Sequence, residues 1–428
     1  MKYKLSKYLY VINKCDIVII YNLFNKKIFA ITNEKFKLLQ DKNFSKLKQE
    51  KPHFFTAMEK LGVIIPESFN ELDYIKMMSR KIIFGQEEYR LTINPTLECN
   101  FNCWYCYEQH NNGKMSKETM NAIVEHIKLK IKDKSLKYLN LSWFGGEPLL
   151  YFEEVLFPLA KELKILSIEN DIIFTNSITT NGYLIDEKRN MSFQEIELNS
   201  FQITIDGNKE THNKIRFNKN DKKSFDTIIN NINLLSENIN NKILVRINYT
   251  QQSIKNIIDI LPYFSEKAKK NIFFLFQQVW QETGIKTVSA EDYKIEFEKL
   301  GFQIKNNRIN DSYYNCYADR VEQAVINYDG NVYKCTARDF VNQIPDGKLC
   351  ENGGIEWDYN LISKRFGNTT FENKHCIVCD FLPVCMGPCS QKMIEVKETS
   401  DFSLICLKQG VKKVLDAEID NYISTTLN

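Results

Sequence analysis

Twelve of the 428 residues are cysteine, and their spacing divides most of them into two groups. The first is Cys99-x3-Cys103-x2-Cys106. Three thiolates on so short a loop can hold three irons of a [4Fe–4S] cluster and leave the fourth iron open to a ligand from outside the chain. The same residues also suit a zinc site completed by His110, or plain buried thiols. The second group runs from Cys316 through Cys335 and Cys350 to Cys376-x2-Cys379-x5-Cys385-x3-Cys389 and Cys406. That stretch has little periodic apolar pattern, so a bound metal is the expected cross-link, with zinc the alternative to iron and sulfide. Cys15 stands apart in a predicted hairpin and reads as a buried thiol.

Further motifs follow the predicted strands in order. Gly145-Gly146-Glu147-Pro148 offers two glycines for close backbone approach and a carboxylate that can accept from an ammonium. Thr180-Asn181-Gly182 forms a turn, and Thr204-Ile205-Asp206-Gly207 is followed by His212 and Arg216. With the cysteine triad, this set resembles the signature of radical S-adenosylmethionine (SAM) enzymes. The resemblance implies that Cys99, Cys103 and Cys106 bind a [4Fe–4S] cluster whose open iron takes the amine and carboxylate of SAM. It also implies a SAM site made of Tyr105, Gly145, Gly146, Glu147, Thr204, Arg216 and Val279, with Arg216 and Thr204 on the carboxylate and Tyr105 and Val279 near the adenine. Glu108 and His110, just past the cysteine loop, are the candidates for a general base.

The later cysteines resemble the SPASM extension of radical SAM peptide-modifying enzymes, which implies two auxiliary [4Fe–4S] clusters and three in all. By that pattern Cys376, Cys379, Cys385 and Cys406 hold the outer one, and Cys316, Cys335 and Cys389 the inner. The inner set is one ligand short, leaving either Cys350 to complete it or an iron open to substrate.

The elements that must position these residues are legible from periodicity. Candidate strands at 90–94, 138–144, 173–179, 200–205, 243–249 and 272–279 alternate with room for crossover helices, one of them capped by Ser116 with Met120, Ile123, Val124 and Ile127 on its apolar face. Six βα units predict an α/β fold, a partial TIM-like (βα)6 barrel, with chemistry at the C-terminal strand ends. Ahead of it, strands at 8–12, 17–22 and 27–32, then helices after Asn33 and Pro52, predict a small winged-helix-like module. A charged stretch over 67–80 reads as a linker. The expected domains are thus 1–85, a barrel at 86–300 and a cluster domain at 301–428.

Residues 1–85 carry 16 Lys and Arg against 8 Asp and Glu, while the rest carry 41 against 46. A basic module ahead of an acidic body suggests an acidic partner. No apolar run is long enough for a membrane span and no signal peptide is evident, so a cytoplasmic location and neither a membrane nor a nucleic-acid partner are expected. The family resemblance implies an oxidoreductase that matures a ribosomally synthesised peptide. A 5′-deoxyadenosyl radical would abstract hydrogen, and a thioether or carbon–carbon crosslink would follow. Its partners would be a precursor peptide whose leader adds a strand to the N-terminal module and a flavodoxin or ferredoxin-type electron donor. The alternatives are an anaerobic sulfatase-maturating enzyme making formylglycine, disfavoured because Thr336 rather than a carboxylate follows Cys335, and a non-catalytic metal-bound peptide scaffold.

Overall fold

The computed structural model describes all residues except 222, 282–288, 306–312, 315, 396–400 and 428. The chain forms two compact units: residues 1–85 with 307–321 and 360–428, and residues 86–306 with 322–359.

In the first unit, β1 (Tyr3–Leu5) pairs with β5 (Ile64–Pro66), and β2 (Leu9–Lys14), β3 (Ile17–Asn22) and β4 (Lys27–Thr32) form an antiparallel meander. Because side chains alternate across a strand, the meander serves two cores. Val18, Ile20 and Ile31 pack with Leu39, Phe44, Leu47, Phe55 and Met58 from α1 (Asn33–Gln40), α2 (Phe44–Glu50) and α3 (Pro52–Lys60). Tyr8, Ile19 and Tyr21 pack instead with Phe371, Phe381, Leu382 and Val384 and with Leu415 and Ile419 of the C-terminal helix Lys408–Tyr422. Residues 1–85 thus share a core with the chain's last sixty residues.

The expected linker is a helix, α4 (Glu71–Ile83). Its buried stripe is Glu71, Ile75, Ser79 and Ile83, an i, i+4 series that two polar residues conceal from a hydropathy reading. Glu71 is buried because it accepts from Ser6 Oγ at 2.5 Å and from the Lys7 amide at 2.9 Å. Cys15, expected to be buried, is exposed at the tip of the β2–β3 hairpin with φ +41°.

The second unit is built on β6 (Glu88–Asn94), β7 (Tyr138–Trp143), β8 (Ile173–Thr180), β9 (Leu198–Ile205), β10 (Lys242–Tyr249) and β11 (Ile272–Gln278), all parallel and adjacent in chain order. A short β12 (Gln303–Ile304) extends one end. At the other end β13 (Gln323–Asn327) lies parallel to β6 and continues antiparallel into β14 (Asn331–Tyr333), β15 (Gly347–Leu349) and β16 (Ile355–Trp357). Part of the expected cysteine-rich domain is therefore sheet, in pieces too short for their alternation to register in the sequence. Alternate residues such as Leu91, Ile93, Val245 and Ile247 bury against helix residues including Ile123, Ile127, Ile228 and Ile232. The intervening residues, among them Arg90, Ser142, Ser177, Gln202 and Arg246, are half-buried on the opposite face. The helix after β6, α5 (Lys117–Lys132), begins at Ser116, whose hydroxyl accepts from the Thr119 amide at 3.2 Å. Among the described residues, no helix is long and apolar enough to cross a membrane.

A buried histidine joins the sheet extension to α5. His126 Nδ1 meets the Gly353 carbonyl and Nε2 meets the Tyr89 hydroxyl, both at 2.7 Å. The carbonyl can only accept, so Nδ1 carries the proton and Nε2 accepts from tyrosine. Desolvation pushes the ring's pKa down to about 4, against about 6.5 when unfolded. The unfolded chain therefore binds the proton more readily, and the stability from the neutral ring is lost as pH falls from about 6.5 towards 4, by about 1.4 kcal/mol per pH unit. Urea unfolding across this window should show a shallower acid loss in His126→Gln than in wild type; identical slopes would contradict the assignment.

Candidate active site

The loops at the C-terminal ends of β6 to β10 meet around the first cysteine group. Cys99, Cys103 and Cys106 lie on the loop after β6, tightened by Cys106 N–H donating to Cys103 O at 3.1 Å and Phe101 N–H donating to Cys99 Sγ at 3.4 Å. Desolvation pushes the Cys99 thiol up to about 12 and Cys106 to about 11, although Cys106 keeps an open flank. It also raises Cys103, and there the Arg216 guanidinium opposes it. Three desolvated thiols that feel one another's charge beside a buried cation fit a group that binds them as thiolates, since coordination supplies the charge compensation the protein lacks.

The Gly-Gly turn after β7 braces this loop. Gly146 adopts φ +40°, and a Cβ there would stand 2.1 Å from the Glu98 carbonyl. The second glycine is thus required by close approach to the chain's own Leu97–Glu98 backbone, and Glu147 N–H donates to that same carbonyl at 2.7 Å. Glu147 is fully buried, and its carboxylate accepts from Thr180 Oγ1 and the Asn181 amide, each at 2.7 Å, and from the Leu149 amide at 3.0 Å. Three of about four lone-pair directions are taken, so the residue expected to meet an ammonium chiefly ties the ends of β7 and β8 together.

After β9 comes a network of buried charge. The Tyr105 hydroxyl donates to Asp206 Oδ2 and accepts from Arg216 Nη1 at 2.7 Å and Asn248 Nδ2 at 3.2 Å. Burial raises Asp206 to about 6 against the opposing pull of Arg216 and Tyr105. His212 Nδ1 accepts from the Asp206 amide at 3.2 Å, so Nε2 carries the proton towards Ser224 Oγ at 3.1 Å, and Ser224 in turn donates to the Arg216 carbonyl. Burial keeps His212 neutral. Two atoms in this network are buried without a partner, Asp206 Oδ1 and Arg216 Nε. An unused donor and an unused acceptor in one desolvated network call for a ligand that is itself both acid and base. Thr204 is buried on the same strand end.

The other expected residues lie close by. Val279 is buried and its amide donates to Tyr249 O at 2.9 Å, closing the end of β11 on β10. Glu108 Oε2 accepts from the Gly146 amide at 2.9 Å while Oε1 is buried without a partner. His110 Nδ1 is committed to the Leu97 carbonyl at 2.9 Å. Asp339, four residues after Cys335 along the chain, is occupied by the Gln109 amide at 3.1 Å and the Asn342 side chain at 2.6 Å. Asn248, Glu98 and Ser224 escaped the sequence reading because each is a common polar residue outside any short motif; the period of β10 was the one signal that could have flagged Asn248.

In the first unit, Cys376, Cys379, Cys385 and Cys406 lie within reach of one another's charge, although among the described residues no three His, Cys, Asp or Glu side chains are drawn together as a metal site. Burial and the charges of the other three push Cys376 up to about 12, and burial with Cys379 and Cys406 pushes Cys385 to about 11. Cys316 opens a short turn, its amide donating to Asp319 Oδ2 at 3.1 Å, and Cys389 precedes the helix Ser390–Glu395. Val332 pairs with Gly347 and the Leu349 amide donates to Gly330 O, so Cys335 leaves one end of the β14–β15 ladder and Cys350 the other. No disulfide joins any of the twelve cysteines.

A desolvated cysteine triad, braced by a Gly-Gly turn and flanked by a buried tyrosine–aspartate–arginine network, lies at the mouth of a parallel βα sheet. Residues 93–261 match the model of the radical SAM superfamily. The chain is 25% identical to a cysteine-type anaerobic sulfatase-maturating enzyme of Clostridium novyi, over 68% of this chain and 84% of that protein. It is 22% identical to the radical SAM cyclopropyl synthase TigE of Paramaledivibacter caminithermalis, over 90% of this chain and 89% of that one. The fold is similar to the structure titled native anSMEcpe with bound AdoMet and Cp18Cys peptide, with TM-score 0.58, 21% identity, and coverage of 79% of this chain and 98% of the other. The chain contains a radical SAM domain and is an enzyme.

Gly146→Ala should force the Leu97–Glu98 backbone away from its place ahead of Cys99. Iron analysis after anaerobic reconstitution should find about four irons fewer than wild type, with the far-ultraviolet circular dichroism retained. Unchanged iron content would show that the turn does not brace the loop.

Proposed function

We propose that the enzyme matures a ribosomally synthesised peptide, forming a thioether or carbon–carbon crosslink. The supporting observation is the extent of the TigE match. At 90% of this chain, it leaves too few residues unmatched to omit the first 85, where the meander is found.

When bound at the Cys99–Cys106 loop, a [4Fe–4S] cluster with SAM supplies an electron and a 5′-deoxyadenosyl radical able to take hydrogen from an unactivated carbon. The chain's own residues do the rest. Arg216 Nε and the Thr204 hydroxyl are placed to donate to the SAM carboxylate, Asp206 Oδ1 to accept from a hydroxyl or amine, and Tyr105 to hold both charges in register. The network's internal hydrogen bonds hold its charges in fixed positions, so little reorganisation accompanies binding. Cys376, Cys379, Cys385 and Cys406 hold one auxiliary cluster, and the remaining later cysteines supply the ligands of a second. In the meander order β2-β3-β4 both outer strands have an edge unpaired within that sheet, and a leader adds there as a further strand, with the module's lysines favouring an acidic one. A flavodoxin or ferredoxin-type protein in the cytoplasm serves as the electron donor.

The sulfatase-maturating relative favours a second reading, oxidation of a peptide cysteine or serine to formylglycine. A product aldehyde captured by a hydrazide reagent distinguishes it from a crosslink.

Two measurements test the proposal without knowledge of the peptide. Reconstituted protein should hold about twelve irons with matching sulfide and no zinc, falling by about four when Cys376, Cys379, Cys385 and Cys406 are all replaced by alanine. Under anaerobic reduction wild type should form 5′-deoxyadenosine and Cys103→Ala none. Zinc at the later cysteines would remove the auxiliary clusters, and 5′-deoxyadenosine from Cys103→Ala would remove the radical assignment.

A further inference from the structure

The helix-free face of the sheet carries two arginines that differ in one respect. Arg90, on β6, is neutralised: its Nε donates to Glu88 Oε1 at 2.7 Å. Arg246, on β10, forms no ion pair among the described residues. Its Nε is held by Asn248 Oδ1 at 2.8 Å, and Nη1 and Nη2 make no hydrogen bond among those residues. The acid whose charge it feels, Asp206, is already committed to Tyr105.

Arg246 is also specifically placed. In the β9–β10–β11 register it lies between Thr204 and Leu275. Asn248 is two residues further along the same face, about 7 Å nearer the strand ends, and joins the guanidinium on one side to the Tyr105 hydroxyl on the other. A half-buried guanidinium anchored through Nε alone presents its two terminal nitrogens as a ready fork, the geometry that matches a carboxylate bidentately. The face around it is otherwise polar without net charge, as in the Ser142–Ser177 hydroxyl pair at 2.7 Å.

The geometry points to Arg246 as a substrate-specificity residue that binds a carboxylate of the peptide, from an Asp or Glu side chain next to the residue that loses hydrogen. This rests on the peptide-maturase reading and adds what that reading lacks, the chemistry of a neighbouring substrate residue. The fork lies level with Thr204 and two residues short of Asp206 and Asn248 along the strands, so it holds the acid beneath the Tyr105–Asp206–Arg216 network and fixes which residue faces the radical. It binds substrate and takes no part in the electron or hydrogen transfer.

The test uses full-length protein reconstituted with iron, sulfide and SAM, and a library of N-acetylated, C-amidated peptides randomised at every position. Wild type should retain peptides enriched about tenfold in Asp or Glu at one position. Arg246→Gln should lose the enrichment, and Arg246→Glu should replace it with Lys or Arg. Equilibrium dialysis should show SAM affinity within about twofold of wild type in both variants, which also confirms that they fold. Enrichment that survives in Arg246→Gln, or retained peptides without acidic preference, overturns the assignment alone. A tenfold loss of SAM affinity with peptide preference intact makes Arg246 a SAM ligand and overturns it too. Retention of no peptide by wild type overturns the maturase reading together with it.

Discussion

Everything at this site depends on keeping charge out of water at the ends of β6 to β10. The Arg216 guanidinium, the Asp206 carboxylate and three thiols sit where desolvation opposes ionisation, and isolated buried charges cost several kcal/mol each. Tyr105 makes the arrangement tolerable by donating to the acid and accepting from the base through one oxygen. The network is still incomplete, with Asp206 Oδ1 and Arg216 Nε unpartnered. A buried site with one unpartnered donor and one unpartnered acceptor is completed by a ligand that supplies both, and its burial excludes water from the chemistry.

The packing around the network follows from the same requirement. Glu147 spans β7 and β8, the Gly145–Gly146 turn seats the cysteine loop, and His212 with Ser224 fixes the backbone of Arg216. Each is a polar group spent on positioning, and each is affordable because its partners are backbone groups at strand ends that would otherwise be unsatisfied. The sequence motifs are therefore as much about holding the loop as about touching a ligand.

The six strands β6 to β11 were legible to within two residues at either end, because parallel strands covered by helices leave a strong apolar alternation on one face. The cysteine loop and the turn motifs were legible for a different reason: glycine at positive φ and closely spaced thiols have few other uses. What could not be read was long-range. Helix α4 was hidden because Glu71 and Ser79 occupy its buried stripe, and Glu71 is buried only through Ser6 and Lys7, some 65 residues away. The inclusion of residues 322–359 in the sheet rests on β13 pairing with β6, a contact between segments more than 200 residues apart. Spacing along the chain likewise says nothing about which end of a hairpin Cys335 or Cys350 occupies.

The central claim is that the Cys99–Cys106 loop holds a cluster whose open iron takes the amine and carboxylate of SAM, beside a preformed Arg216–Asp206–Tyr105 network. Electron–nuclear double resonance on the reduced protein tests it most directly, using SAM isotopically labelled at its amine nitrogen. The account predicts a coupling from the labelled nitrogen to the cluster in wild type, lost when Cys103 is replaced by alanine. Bound SAM without any such coupling would contradict it.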